Sequence, residues 1–315
     1  MSSRTWSVLC WIAALSGLAV ALNGASPASA ATAPHLPADL VSAIPPREGS
    51  APTGSQLVAR LAASTRMERY QEFVGQILKG NIPNTLRRLR SVEISVPGPS
   101  GVILKAVVWV MPDYLAVGSD EDFVRVPLGL EAAITVARRF GFTLPTRKMV
   151  NVIHRQAEEK LDPRPMPAGP AMTSLAYLWA HNRTINQQQR FLTPGALVSG
   201  CKKDVVITPR LASLPGRVAI YGWLHPDGKP IQPLSTVHGA EYADYSHGIR
   251  LVSQTIYVNG EARSVFDVLE DPARVELLSD EGVDLNARRL LQPDPSRVGF
   301  AQSRLSISPR PKPGR

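Results

Sequence analysis

The chain has almost no cysteine. Of its two, Cys10 lies within the first thirty residues, so the rest of the chain holds one thiol, Cys201, and no internal disulfide. Long apolar runs are equally scarce. Beyond residue 30 none approaches the roughly 20 residues that a membrane-spanning helix needs. Basic blocks, basic helices and aromatic-basic interleaving are all missing. The net charge of +9 is therefore a diffuse surplus and not a nucleic-acid signature. There is no internal repeat. There is also no pair of histidines four apart on a helix, the standard zinc arrangement.

The N-terminus has a distinct pattern. Arg4 gives a positive start, Trp6 to Leu22 is apolar and uncharged, and Ala28-Ser29-Ala30 is an A-x-A cleavage pattern. Residues 1–30 are expected to be a secretory signal peptide of bacterial style, without a twin arginine. Its removal would leave a charge of +8, since Arg4 is its one charged side chain at pH 7. Residues 31–54, rich in Ala, Pro, Ser and Gly, are expected to be a flexible linker. Residues 291–315, ending Ser-Pro-Arg-Pro-Lys-Pro-Gly-Arg, are expected to be a disordered, proline-rich basic tail. Between them, 55–290 is long enough for one domain with a full core.

Local patterns place its elements. Thr65-Arg66-Met67-Glu68 is a capping box, and apolar residues from Tyr70 to Leu78 follow at helical spacing until Gly80. Val92–Val96 and Val102–Met111 read as strands, the second apolar enough to be central. Tyr114–Val117 and Phe123–Val126 form a hairpin pattern around Gly118-Ser119-Asp120. Helices are expected over Leu130–Phe140, after Thr146, over Thr173–Arg190 and over Val265–Leu269. Strands are expected at Ala196–Ser199, Val205–Thr208, Val218–Trp223, Ile249–Thr255 and Ile256–Val258, with Asn259-Gly260 as a hairpin turn. Helices gather in the N-terminal half and mostly antiparallel strands in the C-terminal half. The fold class is α+β in a single domain.

Polar chemistry concentrates in Ser235–Val252, STVHGAEYADYSHGIRLV. His238, Asp244 and His247 fall within ten residues of one another there. Such a set can bind a metal such as zinc, form an acid-base pair with the carboxylate orienting an imidazole, or satisfy itself within a turn. Gly239 and Gly248 favour loop geometry. Cys201 stands in Gly200-Cys201-Lys202-Lys203-Asp204, where two lysines would lower a thiol pKa. It is a rival nucleophile if an imidazole approaches it. Asp113, Asp120, Glu121 and Asp122 are read mainly as turn residues, and Arg125, set in a strand, needs a partner. His154 and His181 are read as structural or exposed, and His225 as part of a hairpin tip. Asn182-Arg183-Thr184 is a glycosylation sequon of little meaning in a bacterial protein.

Ser246-His247-Gly248-Ile249-Arg250-Leu251 resembles the S-H-G-C-I/V-R-L signature of the L,D-transpeptidases, which cross-link cell walls. His238-Gly239 resembles that family's upstream His-Gly. The family's nucleophilic cysteine is missing here, since Ile249 follows Gly248 directly, and His238 lies closer to His247 than in the family. The match covers under twenty residues of 315. Other phrases within 90–280, such as Met111-Pro112-Asp113-Tyr114-Leu115, resemble a group of uncharacterised exported bacterial proteins, which implies no activity.

The expectation is an exported, periplasmic or secreted hydrolase of the cell envelope, with peptidoglycan as the substrate class. In it His247 is the base or a ligand, Asp244 its orienter and His238 the second imidazole, while Tyr245, Ser246, Arg250 and Lys203 bind substrate. No cofactor is expected, zinc being the one alternative. The partner is an envelope polymer or a small-molecule ligand, with no nucleic acid and no membrane span after signal cleavage. The competing expectation is a non-catalytic exported ligand-binding or scaffold protein.

Overall fold

Residues 43–98, 101–190 and 193–291 are described by a computed structural model. The expected signal peptide, the linker as far as residue 42 and the tail from residue 292 lie outside the described residues. Those described all belong to one contact unit, Ala33–Arg315.

Local chemistry starts and stops the elements much as the sequence implies. Helix α1 spans Gly54–Arg60. Helix α2, Arg66–Leu78, begins at the Thr65 capping box: Glu68 N donates to Thr65 Oγ1, and Thr65 N donates to Glu68 Oε2 at 2.7 Å. Gly80 ends it at φ +81, where a Cβ would sit 2.0 Å from Pro45 O. Strands β1 (Arg90–Pro97) and β2 (Ile103–Val110) form a long antiparallel hairpin, with Val92, Ile94 and Val96 turned to the core. Strands β3 (Ala116–Gly118) and β4 (Phe123–Arg125) form a short one. Helix α3 (Leu130–Arg139), strand β5 (Phe142–Thr143), helix α4 (Arg147–Gln156, capped by Thr146) and strand β6 (Glu159–Lys160) follow. Helix α5 is Leu175–Gln189, capped by Ser174.

The remaining strands are β7 (Val198–Ser199), β8 (Lys203–Val206), β9 (Ala219–Leu224), β10 (Pro230–Ser235), β11 (His247–Gly248), β12 (Val252–Ser253), β13 (Thr255–Val258) and β14 (Glu261–Ser264). Helices α6 (Val265–Glu270) and α7 (Ala287–Leu291) close the described chain. The fold is α+β, and most strand pairs are antiparallel.

Two sheets carry the architecture. In the larger, β2 is central as its apolar sequence implies: β1 pairs with it, and β13 and β12 also pair with it, with β14 and β5 outermost. The smaller has the order β10-β9-β8-β11, with β8 and β11 parallel. The expected strand over Ile249–Thr255 is instead a crossing. His247-Gly248 belongs to the smaller sheet and Val252-Ser253 to the larger, and the three residues between them carry the chain across. Strand β10 escaped the sequence reading because it holds Pro230 and Pro233, which are tolerated only because it is an edge strand. The Asn259-Gly260 turn joins β13 to β14 with both residues at positive φ, as a two-residue hairpin requires.

The second half of the expected linker is part of the domain. Ile44 is buried in the core, Arg47 Nε donates to Asn81 Oδ1, and Gly54 lies so close to Phe123 that a Cβ would meet its backbone at 2.6 Å. Small residues here serve close packing, which composition alone reads as flexibility.

Arg125 finds its partner inside the molecule. Its guanidinium is 1% exposed and donates to both Asp113 oxygens, with Nη2 to Oδ2 at 2.6 Å. Helix α5 completes the shell: Arg125 donates to Asn182 Oδ1 and Asn186 Oδ1 and also bonds Gln189, which in turn donates to Asp113. Asn182, the sequon asparagine, is fully enclosed and donates to Phe123 O at 2.8 Å. Burial pushes the Asp113 carboxyl up, but the charge and hydrogen bonds of Arg125 outweigh it and hold the group below the ordinary carboxylate value. Removing one partner leaves a buried charge unmatched. Arg125→Met is expected to cost about 3–5 kcal/mol of unfolding free energy in urea titrations. The double variant Asp113→Asn/Arg125→Met should recover part of that loss, and equal losses in the two would show that the ion pair is not the cause.

Candidate functional site

The polar loop is built around an aspartate turn. Asp244 Oδ1 accepts from Ser246 N at 2.8 Å and from Ser246 Oγ at 2.6 Å, while His247 N donates to Asp244 O. This turn launches β11 alongside β8, pairing His247 with Lys203 and Gly248 with Asp204. Gly248 is required by its neighbours: a Cβ there would lie 2.4 Å from the Tyr114 ring and 2.8 Å from Lys202 Cβ.

Three of the expected substrate-binding residues are used by the fold. Ser246 is fully buried in the turn. The Tyr245 hydroxyl accepts from Met166 N at 2.7 Å and donates to Met166 O. Arg250, 1% exposed, donates to Met111 O at 2.9 Å and Val198 O at 2.7 Å, and its guanidinium stacks 4.4 Å from the Tyr114 ring centre.

The expected trio does come together. His247 Nε2 lies 3.9 Å from Asp244 Oδ2, too far for a hydrogen bond, and the two rings of His238 and His247 have centres 6.4 Å apart. Tyr242, which the sequence reading passed over, binds them into one group. Its hydroxyl donates to Asp244 Oδ2 at 3.0 Å, its ring stacks on His238 at 4.1 Å, and its edge meets His247 at 5.6 Å. The Tyr-x-Asp spacing was the one available hint. His238 is partly exposed, whereas His247 is 1% exposed and neither of its ring nitrogens has a hydrogen-bond partner. Burial lowers the His247 pKa to about 4, and the opposing charge of Asp244 only partly offsets this. Burial raises the Asp244 carboxyl, but His247 and the Ser246 donors outweigh it. At neutral pH the pair is a neutral imidazole beside a carboxylate.

Cys201 does not meet the condition set for a nucleophile. It is buried with Tyr114, Leu161, Ile185 and Val198, and burial, aided by Asp113, pushes its thiol up to about 12. The neighbouring lysines do not produce a thiolate, because desolvation outweighs them. No hydrogen bond joins Cys201 to an imidazole among the described residues. Lys202 is fully buried, donating to the Tyr245 carbonyl and, at 3.2 Å, to His181 Nδ1. Burial lowers it to about 7, and lowers His181 to about 2. Asp204 accepts from the Tyr114 hydroxyl at 2.9 Å while its Oδ1 has no hydrogen-bond partner, and burial raises it to about 6 despite Arg250. Of the other two histidines among the described residues, His154 is buried against Ser199 Oγ, and His225 N pairs with Lys229 O across the β9–β10 turn.

Lys203 is partly buried. Its ammonium lies 5.4 Å from the Trp223 ring centre, with no carboxylate within ion-pair distance among the described residues. Trp223 has φ +53, a left-handed backbone that a bulky residue rarely adopts. Its ring is held edge-on against His181 and Tyr245. Nothing in the sequence marked it.

A cleft of about 50 Å³ opens beside Asp244 and Tyr245, walled by Arg66, Arg69, Met172 and Ser174. It has room for a few waters and not for a drug-sized ligand. A groove of about 280 Å³ on another face is lined by Arg90, Trp109 and Glu158. Among the described residues no group of three or more His, Cys, Asp or Glu is arranged to hold a metal ion, and no helix is long and apolar enough to cross a membrane. No protein-family model, curated protein or solved structure matches the chain.

The enclosed Lys202 makes stability depend on pH. Its pKa is about 7 when folded against 10.5 when free, so above pH 7 the unfolded chain binds the extra proton and folding is favoured as pH rises. From pH 7 to about 8 this group contributes a gain approaching about 1.4 kcal/mol per pH unit, and above that the thiol of Cys201, which ionises more readily in the unfolded chain, opposes it. Lys202→Met should lose that slope in urea titrations at several pH values. Parallel slopes for wild type and variant would mean that Lys202 stays charged when folded.

Proposed function

We propose that this protein is an exported hydrolase of the bacterial cell envelope that cleaves peptidoglycan with His247 as general base. One observation carries the reading: a buried, neutral imidazole with both nitrogens unpaired stands beside an ionised carboxylate. Burying polar atoms without partners costs free energy, and perturbed titratable groups of this kind concentrate at reactive sites. The left-handed Trp223 nearby is a second local cost of the sort that functional sites keep.

The chain's side chains favour attack by water over a covalent intermediate. Cys201 is packed elsewhere as a thiol, and Ser246 Oγ is engaged by Asp244. His247 takes a proton from water as the oxygen adds to the scissile carbonyl, and Asp244 stabilises the imidazolium that forms. His238, partly exposed, delivers a proton to the leaving group. Tyr242 holds Asp244 and His238 in place. The envelope as location rests on the N-terminal leader pattern, and peptidoglycan on the Ser246–Leu251 resemblance.

A second reading, a non-catalytic exported scaffold or ligand-binding protein, is favoured by a different observation. Tyr245, Ser246 and Arg250 are used by the fold, and the cleft beside Asp244 is small. Digestion of purified peptidoglycan, followed by mass spectrometry of released fragments, separates the two. Wild type should release fragments, with or without a chelator. His247→Ala and His247→Gln should lower release by about 100-fold or more while keeping the wild-type circular dichroism spectrum. Equal release from wild type and a folded variant would remove His247 from the reaction, and no release from wild type would leave the non-catalytic reading.

A further inference from the structure

We propose that Lys203 and His247, presented side by side from β8 and β11, form a subsite for a carboxylate group of the substrate. The inference rests on the proposed hydrolase reading for the word substrate, but the subsite itself is a binding claim.

The register puts the two residues together. They are direct partners across the parallel pair, so their side chains leave the same face of the sheet. Each lacks what its chemistry calls for. The Lys203 ammonium is partly buried with no carboxylate within ion-pair distance among the described residues, and its close neighbour is the Trp223 ring face. The imidazole of His247 has one donor and one acceptor nitrogen when neutral, and both are unpaired. A carboxylate between them accepts from Lys203 Nζ and from the imidazole N–H. The other ring nitrogen is left free to take a proton.

The surroundings select the charge. Asp244 faces both residues and holds one negative charge. Lys202 lies behind, and His238 and Tyr242 stand against the outer side of the His247 ring. One ammonium against one fixed carboxylate leaves no surplus negative charge on this face, so a single added carboxylate is opposed less than a dianion. A phosphate dianion would place a second charge against Asp244. Trp223 is also explained: its left-handed backbone, held by Trp223 N donating to Lys202 O at 3.1 Å, sets the ring under the ammonium. That ring attracts the cation without neutralising it and so leaves it available. His238 and Tyr242, whose rings stand beside that of His247, are partly exposed.

Calorimetric titration of the full chain tests this with three probes: N-acetyl-alanine, its C-terminal amide, and inorganic phosphate. The carboxylate should bind, the amide should bind at least tenfold more weakly, and phosphate should not compete better than the carboxylate. Lys203→Met should weaken the carboxylate tenfold or more, Lys203→Arg should restore most of it, and the His247 ring resonances should shift with the carboxylate in nuclear magnetic resonance spectra. Equal affinity for acid and amide, no carboxylate binding, tighter phosphate binding, or an unaffected Lys203→Met would each overturn the subsite. Carboxylate-selective binding without peptidoglycan turnover would sink the hydrolase reading and keep the subsite. Turnover of peptidoglycan with no carboxylate preference would do the reverse.

Discussion

Arg250 holds the two sheets together, and much of the interior is arranged around its charge. It stands in the three-residue crossing between β11 of the smaller sheet and β12 of the larger. A guanidinium enclosed there is tolerable only if its donors and charge are met. Met111 O, at the end of β2, and Val198 O, in β7, take its hydrogen bonds, the Tyr114 ring lies against its flat face, and Asp204 supplies a carboxylate 3.9 Å away. The same need spreads outward. Asp204 takes the Tyr114 hydroxyl, and Asp113, one residue before Tyr114, takes Arg125, whose remaining donors pull helix α5 onto β4. Four charges from distant parts of the chain thus fix the positions of β2, β4, β8 and α5.

That network gives a packing reason for the residues that resemble the transpeptidase signature. Gly248 lacks a side chain where the Tyr114 ring must sit, Ser246 closes the aspartate turn, and Arg250 is the crossing cation. His247 is the exception within the phrase. It is as deeply enclosed as its neighbours, yet nothing in the described fold uses its ring nitrogens. The contrast falls within five consecutive residues, Ser246 to Arg250, and sets polarity used in packing apart from an imidazole whose nitrogens are unpaired.

The same contrast decides how much of the site was legible. His238, Asp244 and His247 are close in sequence, so a single turn suffices to gather them, and the loop's composition pointed to them directly. Tyr242 was missed because its role is lateral, through one hydroxyl bond and two ring faces. In sequence Lys202 and Lys203 read alike, as cations beside Cys201, with Lys203 as a substrate contact. Strand alternation sends one into the interior with His181 and leaves the other partly exposed beside Trp223. Cys201 misled for the same reason: the lysines adjoining it in sequence matter less to its thiol than the apolar side chains that enclose it.

Sequence by itself determined what depends on a few adjacent residues. The capping box at Thr65, the caps at Thr146 and Ser174, the Asn259-Gly260 turn and the alternation of β1 all follow from local backbone and hydrogen-bond chemistry, and the α+β class follows from their order. Tertiary structure alone decided that residues 249–251 cross between sheets, that the small-residue segment before Gly54 packs into the domain, and which titratable groups keep their charge. Those outcomes rest on burial and on partners remote in sequence. Desolvation and Coulomb interaction act through space, so a charge state is a property of the enclosure and not of the neighbouring letters.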